Sequence, residues 1–154
     1  MDKYEEALAK LELTIPEPAI PVANFVPYVI AGKLVYISGQ IPIKAGRVCF
    51  VGKLGKDFAV AQGQEAARAC ALQVLALIRH ACGGDLDKVA RCVRLGGFIN
   101  STPEFTDQPQ VMNGASDLIV SVFGERGRHA RAAVGVTSLP LGVAVEVDAI
   151  FEIT

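Results

Sequence analysis

Residues 127–153 contain two apolar runs, each of which carries a charge near its middle. Arg131 lies in the run A-R-A-A-V-G-V, Glu146 lies in V-A-V-E-V-D-A, and S-L-P-L-G at residues 138–142 connects them. Their alternating pattern and the turn residues between them predict two β-strands in a C-terminal hairpin. Because burying a charge costs several kcal/mol unless it is paired or used, both residues are candidates for function.

Strand alternation decides which side chains accompany these two charges. The predicted faces hold Arg131, Ala133 and Gly135 in the first strand, and Ala144, Glu146, Asp148 and Ile150 in the second. Small neighbours leave space beside the guanidinium of Arg131, whose fork of donors suits a carboxylate. A partly desolvated Glu146 suits a proton acceptor or a group that orients a water molecule. The spacing fits a structural Arg–Glu ion pair that bridges strands or subunits equally well.

The first third of the chain predicts a helix, a linker and three strands. Tyr4, Leu8 and Leu11 recur at helical spacing, and the prolines at 16, 18 and 21 make the following segment an extended linker. Strand-like pieces then occupy residues 25–32, 33–40 and 47–52, with turns at residues 32–33 and 44–46.

The rest of the chain adds two helices and a further strand before the two C-terminal strands. A long helix, with Asp57 as its cap, is predicted from Val60 to about Cys82, because apolar residues there fall on one face. A strand is predicted at residues 88–100, and a second helix runs from near Asp107 to Gly124. This order predicts one α+β domain, a mixed or antiparallel sheet with its two main helices on one face.

Composition and charge exclude several classes of function. Fifteen basic and sixteen acidic residues give a net charge of -1, which is not the basic footprint of a nucleic-acid binder. Four cysteines without C-x-x-C spacing, and two histidines without a second soft ligand nearby, predict no metal site and a reducing compartment. The N-terminus has no apolar signal region and no run is long enough to cross a bilayer, so we expect a cytoplasmic protein.

Two further features concern assembly and the ligand site. Both alternating sets of the predicted strands are rich in Val, Ile and Ala, so the face without helices is expected to be buried in an obligate oligomer. In Y-I-S-G-Q-I-P, Ser38 and Gly39 end an apolar strand, where a glycine lets the backbone approach a ligand closely. Taken alone, this segment indicates only a strand-ending turn.

Three motifs in this order resemble the RidA family, the reactive-intermediate (enamine/imine) deaminases, also called YjgF or L-PSP proteins. They are G-K-L-V-Y-I-S-G-Q-I-P from residue 32, F-I-N-S-T-P-E-F from residue 98 with V-M-N-G-A-S-D-L from residue 111, and H-A-R-A-A-V-G-V-T-S-L-P-L-G-V-A-V-E-V from residue 129. The third is the most specific. The resemblance covers roughly residues 24–154 as a single domain, and residues 1–23 form an N-terminal extension of helix and proline-rich linker.

The resemblance implies a chorismate-mutase-like fold and a homotrimer with sites between subunits. It also implies hydrolysis of 2-aminoacrylate, 2-iminopropanoate and related imino acids to 2-oxo acids and ammonia, with no cofactor. Arg131 matches the family's carboxylate-binding arginine, and Glu146 matches its water-orienting glutamate. Ser38 and Gly39 match the site residues of the S-G-Q turn, Ser38 among the catalytic ones, and Asn113 matches an asparagine of the second helix.

The sequence departs from the family at three points. Ala133, which would offer its backbone N–H to the substrate, stands where the family often has a cysteine, and Phe25 stands where it has a pocket tyrosine. The segment 105–113 is longer than usual. Two alternative functions remain open: a small-carboxylate-binding or regulatory protein with weak catalysis, and an endoribonuclease of the L-PSP type, which the charge balance disfavours.

Overall fold

The structure is a computed structural model that describes residues 3–18 and 24–154. In chain order, the described residues form α1 (Lys3–Lys10), β1 (Tyr28–Ala31), β2 (Leu34–Gln40), β3 (Ile43–Lys44), β4 (Arg47–Val48), α2 (Val60–Ala81), β5 (Val89–Asn100), α3 (Gln108–Phe123), β6 (Ala130–Val136) and β7 (Val145–Ile153). Part of the predicted proline linker, including Pro21, lies outside the described residues.

These residues build a five-stranded sheet in the order β1-β2-β7-β5-β6 and a separate two-stranded ribbon of β3 and β4. Neighbouring strands of the large sheet run antiparallel, except that β5 and β6 are parallel. Helix α2 packs against β2 and β7, and α3 packs against β5 and β6. The predicted α+β fold with a mixed sheet and the two main helices on one face is therefore confirmed.

An aliphatic core fills the space between the helices and the sheet. Helix α2 buries the predicted face of Ala66, Cys70, Val74, Leu77 and Ile78, and the sheet contributes Val35, Ile37, Leu95, Ile99, Val147 and Phe151. The helices approach closely at Gly114, where a Cβ atom would lie 2.8 Å from Cα of Gln64. Helix α1 adds Tyr4 and Leu8 to this core, and the Tyr4 ring meets the edge of Phe123 at a centroid distance of 4.9 Å.

Four local predictions were wrong. Residues 47–52 do not form a strand of the large sheet: only Arg47–Val48 pair with β3, and the left-handed φ angles of Phe50 (55°) and Gly52 (148°) end the extended run. Asp57 does not cap α2, because its carboxylate accepts from the Lys53 backbone N–H at 2.8 Å. Ala144 precedes β7 and is buried in the core, so it does not share the face of Glu146.

The fourth error is the expected C-terminal hairpin. Strands β6 and β7 are not neighbours, because β5 lies between them and pairs with both. This order separates the two strands that carry the candidate charges, Arg131 and Glu146. It also makes β6 an edge strand of the sheet.

The sheet face opposite the helices is partly apolar, as predicted, but it also carries charge. Val29, Tyr36 and Val134 are each about half exposed there, at 52%, 45% and 46%. The same face carries Glu146 and Asp148 of β7, which alternate with the core residues of that strand. The face thus combines exposed apolar side chains with a pair of carboxylates.

Candidate active site

Arg131 projects from β6 towards α3, on the helix side of the sheet. Its Nη1 donates to Oδ1 of Asn113 at 2.8 Å and to Oγ of Ser116 at 3.1 Å, and its Nη2 donates to the backbone oxygen of Pro109 at 3.0 Å. All three acceptors are neutral. Among the residues that the structure describes, Arg131 has no ion-pair partner, and two of the five guanidinium N–H donors remain for a ligand.

His129 stabilises this arrangement through a hydrogen bond with Ser116. Oγ of Ser116 lies 2.8 Å from Nε2 of His129, and Nδ1 of His129 lies 2.6 Å from the oxygen of Gly127. Because a carbonyl oxygen only accepts, Nδ1 carries the proton in the neutral ring, and Nε2 accepts from the Ser116 hydroxyl. Burial lowers the pKa of His129, the hydrogen bond to Gly127 opposes that shift, and the charge of Arg131 adds to it. The neutral ring therefore completes a chain of hydrogen bonds to Arg131.

Glu146 lies on the opposite face of the sheet, beside the end of β2. A β-bulge at Ser38 and Gly39 interrupts the pairing of β2 with β7, and it brings the backbone of Gly39 against Glu146. A Cβ atom at Gly39 would lie 2.8 Å from Cδ of Glu146. Only glycine leaves room for the carboxylate here.

The carboxylates of this face are partly buried. Burial raises the pKa of Glu146, and the negative charge of Asp148 raises it further. Burial also raises the pKa of Asp148, although Arg94, whose Nη1 lies 3.6 Å from Oδ1 of Asp148, acts in the opposite direction. A raised pKa makes a carboxylate a stronger proton acceptor.

Ser38 lies on the same side as Glu146 rather than with Arg131, and Phe25 lies in the segment to which Ser38 is bonded. Oγ of Ser38 donates to the backbone oxygen of Val26 at 2.8 Å, and the Ser38 backbone N–H donates to Pro27 at 2.9 Å. These bonds tie the segment after Phe25 to the bulge. Phe25 is 57% exposed and is not among the residues that form or pack against the described core.

The predicted site residues thus form two separate groups in one chain. Arg131, Asn113 and Ala133 lie with α3, whereas Glu146, Gly39, Ser38 and Phe25 lie at the end of β2. Register places Arg131 beside Leu95 and Glu146 beside Phe98, on opposite faces of β5. The two residues are two strand spacings apart across the sheet, roughly 10 Å, and three residues apart along it, also roughly 10 Å. The ion pair between Arg131 and Glu146 that the sequence allowed is therefore absent within the described chain.

Pro109, Ser116 and His129 were not predicted as partners of Arg131. A signal existed for Ser116, which follows Asn113 by three residues, so helical spacing puts both on one side of α3. His129 precedes Arg131 by two residues, so strand alternation puts both on one face. The described residues contain no group of three potential metal ligands, and none of their helices is long and apolar enough to span a membrane.

Comparisons with known proteins identify the family of the chain. The family profile described as "YjgF/chorismate mutase-like, putative endoribonuclease" matches residues 5–152. Protein TCP17 of Trypanosoma cruzi is 53% identical over 147 residues, which are 95% of this chain and 91% of that protein.

Two solved structures share the fold. The protein Atu1372 of Agrobacterium tumefaciens, described as having unknown function, is 48% identical with a TM-score of 0.92, covering 98% of this chain and 92% of that one. RidA from an Antarctic Psychrobacter is 27% identical with a TM-score of 0.61, covering 91% and 96%. With its profile match, its relatives and its chorismate mutase-like α+β fold, the chain belongs to the YjgF/RidA family.

Proposed function

We propose that the protein hydrolyses 2-imino acids and their enamine tautomers, of the 2-aminoacrylate type, to 2-oxo acids and ammonia. The observation that carries this proposal is the environment of Arg131. Its half-buried guanidinium is held by three neutral oxygens and has no carboxylate partner in the described chain. A cation positioned in this way, with donors to spare, is a site for the carboxylate of a ligand.

The chemistry follows from holding that carboxylate in place. Arg131 would fix the acid group, which places the adjacent C=N carbon at a defined point. Glu146 takes a proton from water as the water oxygen bonds to that carbon, and passes this proton to the imine nitrogen, giving a tetrahedral amino alcohol. Glu146 then takes the hydroxyl proton and transfers it to the nitrogen as the C–N bond breaks, so ammonia leaves and a 2-oxo acid remains. Positioning and modest proton transfer suffice, because imines react readily with water.

This mechanism requires a second copy of the chain. Arg131 and Glu146 lie on opposite faces of one sheet, so one substrate can meet both only where the α3 side of one copy faces the β2 end of another. The exposed apolar side chains of Val29, Tyr36 and Val134 on the sheet face support association. The family resemblance makes a homotrimer the expected assembly, and a solution mass measurement tests it.

The direct test is loss of 2-aminoacrylate, generated from serine by a dehydratase, in the presence of purified protein. We expect wild type to accelerate imine loss and Arg131→Ala to lower kcat/KM at least about 100-fold. Arg128→Ala is the matched control, because Arg128 is exposed and pairs only with Glu125. Equal rates for wild type, Arg131→Ala and buffer would exclude the deaminase function.

One observation favours binding without efficient turnover as a second candidate function. The Arg131 site is complete within one chain, whereas Glu146 depends on assembly. Calorimetry with a 2-oxo acid beside the turnover assay separates the two functions. Binding that Arg131→Ala abolishes, together with no acceleration of imine loss, would favour a carboxylate-binding or regulatory protein.

An endoribonuclease activity has weaker physical support. The two histidines of the chain are engaged separately, His80 with Tyr28 and His129 with Ser116. The net charge of -1 offers little attraction to phosphates. We therefore expect no RNA binding even at low ionic strength, and cleavage of RNA by the purified protein would contradict that expectation.

A further inference from the structure

A cavity of about 620 Å³ lies at the end of β6, outside the groups that the proposed reaction uses. It is formed by the loop between β5 and α3, the segment before α2, and the last residues of β6. Its polar lining consists of Lys53, Lys56, Ser101, Thr102, Thr106, Gln108 and Thr137. Its volume falls within the range of small-molecule binding sites, about 300–1,000 Å³.

The floor of the cavity exists because residue 135 is glycine. A Cβ atom there would lie 2.8 Å from Oγ of Ser101 and 2.8 Å from Nε2 of Gln108. The missing side chain therefore leaves both polar groups accessible from the cavity.

Ser101 is the clearest sign that the floor is built for a ligand. The residue is only 7% exposed, and its hydroxyl makes no hydrogen bond within the described chain. Among the described residues, no fully enclosed polar side-chain atom lacks a partner, so the Ser101 hydroxyl opens on the cavity. A hydroxyl that is nearly buried and unpaired costs free energy unless a ligand or water occupies the space beside it.

A positioned lysine provides charge. Nζ of Lys53 donates to Oδ1 of Asn100 at 2.7 Å and also to the backbone oxygen of Thr137. Asn100 is itself buried and donates to the backbone oxygens of Val143 and Gly52 at 3.1 and 3.3 Å. These contacts leave one ammonium N–H for a ligand and restrict where it can point.

The charged residues that line the cavity are both basic. Lys56 brings a second cation, and no aspartate or glutamate is among the lining residues. The carboxylate of Asp57 accepts from the Lys53 backbone N–H and not from its ammonium. Apolar surface comes from Pro103, Phe105 and Val136. An anionic group attached to an apolar body matches this combination.

We propose that this cavity is a binding site for a small organic anion, a carboxylate or a phosphate monoester attached to an apolar group. The anion contacts Lys53, Lys56 and the Ser101 hydroxyl, and the apolar group lies against Phe105. The site is separate from the Arg131 site: Gly135 lies four residues beyond Arg131 on the same strand, roughly 13 Å away. It therefore does not depend on the proposed deaminase activity.

The test is to follow the backbone amide NMR signals of the full chain, in its native assembly, during titration with phenyl phosphate and with benzoate. We expect shifts at Ser101, Gly135 and Thr137, with Kd of roughly 10 μM to 1 mM. Stronger binding of one probe identifies the phosphate or the carboxylate as the preferred group. The proposal would be overturned if neither probe shifted these amide signals at probe concentrations up to about ten times the highest expected Kd.

Variants locate the binding. Gly135→Ala fills the floor and should abolish it, and Ser101→Ala and Lys56→Met should each weaken it about three- to tenfold, as loss of one polar contact predicts. Lys53→Met should weaken probe binding more than these two variants. Because it also removes a partner of Asn100, circular dichroism first checks that the variant is folded. Lys33→Met, on the exposed turn between β1 and β2, is the matched control.

Independence from the Arg131 site is tested in the same way. Arg131→Ala should bind the probe with wild-type affinity whether or not the protein proves to be a deaminase. Loss of probe binding in Arg131→Ala, or wild-type affinity in both Ser101→Ala and Gly135→Ala, would overturn the proposal.

Discussion

The Oγ atom of Ser116 lies 2.8 Å from Nε2 of His129 and, on its other side, accepts from Arg131 at 3.1 Å. A hydroxyl in this position has a fixed direction, since its proton is directed at the histidine and its lone pair at the guanidinium. Ser116 is therefore a positioning residue for Arg131. It holds the cation without neutralising it.

Removing the Ser116 hydroxyl should weaken substrate binding more than it slows turnover. Ser116→Ala deletes one acceptor of Arg131, and a hydrogen bond to a charged group contributes about 1.5–3 kcal/mol, so we expect KM to rise roughly tenfold or more. Steady-state imine hydrolysis measures the split between KM and kcat. Ser116→Thr should restore KM, and a loss in kcat alone would argue against a positioning role.

His129 should make the protein less stable as the pH falls. Its folded pKa is lowered, chiefly by burial, so the unfolded chain binds the proton more readily. The stability contribution of His129 is complete above its unfolded pKa, about 6.5, and is lost as the pH falls towards the folded value.

The measurement for His129 is the urea midpoint at pH 8 and at pH 5.5. The fall in the urea midpoint from pH 8 to pH 5.5 should be smaller in His129→Gln than in wild type. Comparing the two proteins removes the contributions of other groups, including the opposite one of Glu146. Identical drops would show that His129 does not titrate as proposed.

Glu146→Gln should abolish activity and increase stability. The folded pKa of Glu146 is raised, so its contribution to stability is present below its unfolded pKa and is lost as the pH rises through the folded value. At neutral pH the ionised carboxylate therefore destabilises the fold. We expect turnover to fall about 10²–10⁴-fold, as for loss of a general base, while Tm rises by about 2–4 °C for each kcal/mol gained.

The increase in Tm caused by Glu146→Gln should be smaller at low pH, where the wild-type carboxyl is also neutral. Differential scanning calorimetry at pH 4.5 and pH 7.5 makes the comparison. A Tm below that of wild type at pH 7.5 would contradict the prediction, because it would mean that ionised Glu146 stabilises the protein.

Gly39→Ala should impair catalysis through Glu146. The added methyl group would lie 2.8 Å from Cδ of Glu146, so the carboxylate must move. We expect a fall in kcat of about tenfold to 100-fold with the fold preserved, since a displacement of about 1 Å can cost that much.

A double-mutant cycle checks this cause. If Gly39 acts through Glu146, adding Gly39→Ala to Glu146→Gln should change the rate little, since the group it displaces is no longer catalytic. Additive losses in the double variant would instead point to a separate contact between Gly39 and the substrate.

Local patterns in the sequence determined most of the elements of this protein. The apolar face of α2 follows a helical period from Val60, and the prediction of its end near Cys82 differs from the observed Ala81 by one residue. Alternation also placed Arg131, Ala133 and Gly135 on one face of β6. These are properties of neighbouring residues, so the sequence alone contains them. Residues 47–52 were misassigned because left-handed angles at Phe50 and Gly52 interrupt a run that is apolar in composition.

Only the tertiary structure decided how the candidate residues lie relative to one another. Arg131 and Glu146 occur in consecutive strands, which suggested a hairpin, but β5 inserts between β6 and β7 and pairs with both. Strand order depends on which apolar faces can be buried together across the whole domain, and the spacing of residues along one strand does not report it. For the same reason, the approach of Ser116 and His129 to Arg131, and of Lys53 and Ser101 to one cavity, became visible only when distant segments were packed together.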